Sequence, residues 1–94
     1  MKVGYFRIKN KLGLHARPAA RLVDLAKEVN SEIKIVKGKK EADARSILDL
    51  LTLSCQFDDK IKIEVKGEDE DKAFWLICKL FEAEIGEKIN GRKI

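Results

Sequence analysis

Residues Ala16 to Ala44 read ARPAARLVDLAKEVNSEIKIVKGKKEADA, and two hydrophobic periods meet inside that stretch. In its first half Ala19, Leu22, Val23 and Ala26 fall at i, i+3, i+4 and i+7, the stripe of an amphipathic helix. Pro18 sits in the opening turn, where a missing N–H costs nothing and the fixed φ suits helix entry. "VNSE" ends the helix, and from Glu32 the period drops to two. "EIKIVK" alternates cleanly, "GKK" turns, and "KEADA" is a weak return strand, which together predict a hairpin.

The flanks extend this helix-then-hairpin unit in both directions. Upstream, "KVGYFRIK" is rich in strand formers with apolar residues on both faces, and "NKLG" breaks it. Downstream, Ser46 opens "SILDLLTLS", a short helix for which serine is a natural N-cap. "CQFDD" is a loop and "KIKIEV" is the clearest strand. "GEDEDKAFWLICKLFEAEIG" is a second long helix, with acidic residues at its start and Gly86 at its stop. Phe74, Ile77, Cys78, Phe81 and Ile85 trace its buried face, widened by Ala73, Leu76 and Leu80. The order β-α-β-β-α-β-α predicts an α+β fold, a sheet with its helices on one face, and residues 1–94 as a single domain.

Composition narrows the function classes. Hydrophobic residues make up 45% and charged residues 38% of 94 residues, the profile of a folded chain and not a disordered one. No apolar run approaches a bilayer-spanning length, and the N-terminus lacks a signal-peptide core, so no membrane insertion and a cytoplasmic location are expected. Cys55 and Cys78 have no Cys-x-x-Cys spacing and read as small buried apolar residues; with one histidine they leave no metal ligand set. A net charge of +4 attracts anions and acidic partners. The densest basic cluster, Lys37 to Lys40, reads as a solvated hairpin turn. The six aromatics put Phe74, Trp75 and Phe81 in a helix, so a nucleic-acid-binding sheet face is not expected.

The chain's only histidine stands at the start of the first helix, in "LGLHARPAA", Leu12 to Ala20. The first turn of a helix offers free backbone N–H groups and a partial positive charge, a site for anions. Arg17 adds a planar fork of donors suited to phosphate oxygens. His15 adds a nucleophilic nitrogen, and a phosphoryl group carried on it would be stabilised by the same positive field. The amides of Ala16 and Arg17 are the expected backbone donors. A merely capping or solvated histidine is the plainer alternative. No acid–base dyad accompanies His15, and Asp24 and Glu28 lie further along the helix as solvated residues.

"LGLHARPAA" resembles the active-site signature of the HPr family, histidine-containing phosphocarriers of the bacterial phosphoenolpyruvate-dependent sugar phosphotransferase system, and the resemblance runs nearly collinearly from Lys2 to Lys88. "RSILDLLTLS", Arg45 to Ser54, is similar to the family's regulatory-serine segment, and "KGEDEDKA" to its last-helix entry. The resemblance implies an open-faced β-sandwich of four antiparallel strands covered by three helices. It implies that Enzyme I passes a phosphoryl group to Nδ1 of His15, that Arg17 steadies it, and that IIA domains of sugar permeases receive it. The protein is then a stoichiometric carrier without a cofactor and not a turnover enzyme. Ser46 matches the serine that an HPr kinase/phosphorylase modifies, in some lineages to engage a catabolite-control transcription factor. Ala16, Ala20, Ile47, Leu48 and Leu51 match the docking surface, and a monomer is expected. Ala20 stands where the family often has threonine, Leu48 where it has methionine or phenylalanine, and Ser54 where it has glycine. A nitrogen-related regulatory paralogue, not coupled to sugar transport, shares the motif and is the alternative.

Overall fold

The alternating stretches pair into one antiparallel sheet in the computed structural model, which describes residues 1–91. Strand β1 (Lys2–Ile8) leads to helix α1 (Ala16–Glu28), then the hairpin β2 (Glu32–Lys37) and β3 (Lys40–Asp43). Helix α2 (Ile47–Thr52), strand β4 (Lys60–Lys66), helix α3 (Glu70–Glu84) and strand β5 (Gly86–Lys88) follow. The strand order is β3-β2-β4-β1-β5, with β1 and β4 side by side at the centre.

Each long strand alternates because only one face is covered. Phe6 and Ile8 of β1, Ile33 and Ile35 of β2, and Ile61, Ile63 and Val65 of β4 are buried under the helices. Tyr5, Lys34 and Lys62 turn to the open face, where Lys62 pairs with Glu64 and Lys34 with Glu32 and Glu41. The expected helix stripe is buried: Ala19, Leu22, Val23 and Ala26 of α1, joined by Pro18 in the first turn. From α3, Ala73, Ile77, Cys78 and Phe81 complete the core, and the Phe81 ring lies 5.1 Å from that of Phe6.

The sheet departs from expectation in one respect: it has five strands among the described residues, not four. Gly86 does end α3, but the chain then turns back along β1, pairing Gly86 with Ile8, Glu87 with Arg7 and Lys88 with Phe6. Three residues are too few to show a period, and their pairing partner lies at the other end of the sequence.

Two long-range polar contacts tie the layers together. Asp69, at the N-cap of α3, does not cap its own helix. Its carboxylate instead accepts from the Asn30 backbone N–H at 2.9 Å and from the Ser31 hydroxyl, which satisfies the one buried polar side chain among the described residues, Ser31. Arg45 donates to the carbonyls of Ala26 and Val29, at 3.3 and 3.1 Å, closing the C-terminal end of α1 where free carbonyls and partial negative charge collect.

No helix among the described residues is long and apolar enough to cross a membrane. Cys55 and Cys78 are buried free thiols, and burial pushes the Cys55 thiol up to about 11.

Candidate functional site

The turn between β1 and α1 places His15. Gly13 has φ +71 and packs against the loop after α2: a Cβ there would lie 2.2 Å from the Cys55 carbonyl oxygen. That oxygen accepts from the Leu14 N–H at 2.9 Å, and Leu14 is buried. The backbone on either side of the histidine is therefore fixed, by Leu14 before it and by the helix after it.

His15 is the N-cap of α1 with extended backbone, φ −87° and ψ −173°, and its carbonyl accepts from the Ala19 N–H at 3.0 Å. Its ring makes no capping hydrogen bond. The plain capping role is thereby removed: the backbone of this residue starts the helix, and the imidazole, half-buried, is left for another use. The amides of Ala16 and Arg17 head the helix, where no intrahelical acceptor exists, and Pro18 has no N–H to contribute. Ala16 and Arg17 are both exposed, and among the described residues the Arg17 guanidinium makes no ion pair. Two unengaged backbone donors, a free guanidinium and a ring nitrogen thus gather within one helical turn. They suit an anion that is bound covalently at the ring and held through its oxygens.

Asn10 was legible in the sequence only as part of a strand-breaking turn, yet it contacts the ring. Its side-chain nitrogen lies 3.4 Å from His15 Nε2. No local pattern marks it, because its other partner is the Glu84 carbonyl at the far end of α3. The Glu84 carboxylate in turn pairs with Arg21 of α1 at 2.8 Å, so the end of α3 is anchored beside the histidine turn.

Ser46 is the N-cap of α2, and its half-buried hydroxyl accepts from the Asp49 N–H at 3.1 Å. The leucines of this short helix divide between two faces. Leu50 is fully buried, whereas Leu48 is 71% exposed and Ile47 and Leu51 are partly uncovered. Ala16 and Ala20 of α1, which packs against α2, are exposed as well. Two apolar residues not singled out in the sequence join the uncovered set: Leu12, 74% exposed in the His15 turn, and Phe57, whose ring lies 5.9 Å from Lys9 Nζ. An apolar residue between a lysine and a glycine, inside the strand-breaking "NKLG", is the signal that marks Leu12. Ser54, in the position where glycine is common, has φ +58, so the backbone there is the kind that favours glycine.

Asp24 and Glu28 are exposed on α1. Among the described residues no three His, Cys, Asp or Glu side chains gather closely enough to hold a metal ion.

A family model described as the PTS HPr component phosphorylation site matches residues 4–83. Phosphocarrier protein NPr of Shewanella violacea is 48% identical over 80 residues, covering 85% of this chain and 88% of that relative. Phosphocarrier protein HPr of Lysinibacillus sphaericus is 38% identical over 80 residues, covering 85% of this chain and 91% of the relative. Among solved structures, HPr-C-His from Thermoanaerobacter tengcongensis superposes with a TM-score of 0.85 at 37% identity, over 95% of this chain and all of that one.

Proposed function

The chain belongs to the HPr family of phosphotransferase-system phosphocarriers, and from that premise we propose that it is a single-domain cytoplasmic relay, residues 1–94, carrying a phosphoryl group on His15. The observation that carries this reading is the histidine at a helix N-cap whose ring does no capping and stands with unengaged helix amides and the free Arg17. Enzyme I donates. A lone pair on the imidazole, at Nδ1, forms the new N–P bond as the donor's bond to phosphorus breaks, and the ring proton leaves to the donor or to water. The amides of Ala16 and Arg17 and the Arg17 guanidinium bind the phosphoryl oxygens. The acceptor, a IIA domain, reverses the step, so the protein returns unchanged and catalyses no turnover of its own.

Ala16, Ala20, Ile47, Leu48 and Leu51 form the docking surface in this reading. Their exposure supports it, because large apolar side chains left uncovered in a chain this small lose the stabilisation of burial. A monomer keeps that surface open to successive partners. Ser46, half-buried at a helix start, is the proposed site of regulatory phosphorylation by an HPr kinase/phosphorylase, with a catabolite-control transcription factor as the listener. The added charge acts on docking more than on the fold, since a phosphate is favoured at a helix start.

A second reading has a specific observation behind it. The 48% identity to an NPr exceeds the 38% to an HPr, which favours a nitrogen-related relay that serves regulatory partners and not sugar permeases. Both readings use the same His15 chemistry and differ in the acceptor.

Incubation with phosphoenolpyruvate and the Enzyme I of each branch, followed by intact mass spectrometry, tests both readings. One acid-labile phosphoryl group is expected, absent in His15→Ala and slowly transferred in Arg17→Ala, whose fold is unaffected because the side chain is exposed and unpaired. Label retained in His15→Ala refutes the site. Preferential loading by the sugar-branch or the nitrogen-branch Enzyme I decides between the readings. With ATP and an HPr kinase, acid-stable label is expected that Ser46→Ala abolishes.

A further inference from the structure

Asn10 sits in the turn after β1 with both ends of its amide engaged. Its oxygen accepts from the Leu12 N–H at 2.9 Å, and its nitrogen donates to the Glu84 carbonyl at 3.3 Å. These two backbone partners have opposite hydrogen-bonding character, so they settle which end of the amide is which. It is therefore the N–H₂ end that meets His15 Nε2, at 3.4 Å, the long end of hydrogen-bonding range. A donor facing Nε2 is satisfied only when that nitrogen has a lone pair.

We infer that Asn10 is a positioning residue that keeps Nε2 of His15 unprotonated and thereby lengthens the time for which the ring, once loaded at Nδ1, keeps its cargo. The inference rests on the phosphocarrier reading of His15. With Nε2 unprotonated, the neutral ring's single proton sits on Nδ1 and leaves to the donor or to water, and the electron pair it frees forms the bond to phosphorus as the donor's bond breaks. The loaded imidazole is then neutral, with its remaining lone pair on Nε2 facing the Asn10 N–H. Protonation at Nε2 makes the ring a better leaving group and opens the N–P bond to water. It must first displace the asparagine hydrogen bond, so Asn10 opposes premature loss.

The other charged groups around the turn come from every neighbouring element. Arg17 and Arg21 belong to α1, with Arg21 paired to Glu84 of α3. Lys9 precedes Asn10, Lys11 follows it, and Glu82 of α3 and Glu87 of β5 line the same surface depression as Asn10. Lys9 lies 3.7 Å from Glu87, which offsets that acidic charge. Asn10 is the group whose exchange for a carboxylate changes charge at Nε2 while leaving these in place.

The test is nitrogen NMR of the His15 ring in the unphosphorylated protein, together with the pH dependence of phosphohistidine hydrolysis. In the wild-type protein the neutral ring is expected to carry its proton on Nδ1. Asn10→Asp puts an acceptor opposite Nε2: the proton moves to Nε2, the titration midpoint of His15 rises by about one unit, and hydrolysis at neutral pH accelerates by up to about tenfold, the matching change in protonated ring. Asn10→Ala gives mixed tautomers and a smaller acceleration, and thermal melts establish that both variants are folded. A wild-type ring protonated on Nε2 overturns the inference without recourse to any variant, as does an unchanged tautomer and titration in both folded variants. Failure of His15 to be loaded at all refutes the phosphocarrier reading instead, while the ring's NMR signals still report on Asn10.

Discussion

Gly13→Ala tests whether close backbone packing is what aims His15. Two costs add at this position. Gly13 has φ +71, and an L-residue held there loses about 1–2 kcal/mol. Its new Cβ would also lie 2.2 Å from the Cys55 carbonyl oxygen and 3.0 Å from the Gln56 Cα, both backbone atoms that cannot rotate away. The carbonyl has to retreat, and with it goes the 2.9 Å bond from the Leu14 N–H, whose loss at a buried residue costs about 1–3 kcal/mol. The sum is about 2–5 kcal/mol. Gly38, in the hairpin turn between β2 and β3, has φ +59 with nothing within 4 Å of its would-be Cβ, so Gly38→Ala carries the first cost alone. Urea unfolding of the two variants therefore isolates the packing cost as their difference, expected at about 1–3 kcal/mol. Phosphoryl acceptance from Enzyme I, measured under conditions where both are folded, should fall in Gly13→Ala and remain unaltered in Gly38→Ala. Equal destabilisation by the two substitutions would refute the idea that the Cys55 carbonyl fixes the histidine turn.

Two further predictions concern α2 and Asp69. Leu50→Ala, at a fully buried position, should cost about 2–5 kcal/mol in urea unfolding, whereas Leu48→Ala, 71% exposed, should stay within about 0.5 kcal/mol and raise the KM for Enzyme I; the reverse pattern would sink the two-face assignment. The Asp69 carboxyl is held below its ordinary value, chiefly by the Asn30 N–H and then by the Ser31 hydroxyl. Its contribution to stability is complete above the unfolded-state value of about 3.9 and is lost as pH falls through the lower folded value. Asp69→Asn should therefore remove part of the acid limb in urea midpoints followed downward from pH 5, leaving the share due to Glu70, itself held down first by the Gly67 N–H. Superimposable acid limbs would contradict the assignment.

Most of the fold was legible because its elements are periodic. Ala19, Leu22, Val23 and Ala26 face the core as their spacing requires, and Ile33, Ile35, Ile61 and Ile63 alternate because one face of the sheet is covered. The site was legible in part: His15, Arg17 and the helix start are neighbours in sequence, so a local pattern contains them. Periodicity alone did not separate the leucines of "SILDLLTL", since a six-residue helix has too few turns to define a stripe; only the resemblance marked Leu48 and Leu51 as outward. The helix's two faces are distinguished by what packs beneath them.

By itself, then, the sequence determined every element except β5, including the helix that begins at the histidine, because these follow from spacing along a few turns; it also carried the motif that resembles the family's. Only the tertiary structure decided that β5 pairs with β1, that Arg45 closes the far end of α1, and that Asp69 joins the Asn30–Ser31 turn to α3. It also decided that Asn10 meets the imidazole while held to Glu84. The reason is common to all four: each is a backbone or single-side-chain hydrogen bond between distant segments, and such a bond leaves no periodic trace in either partner.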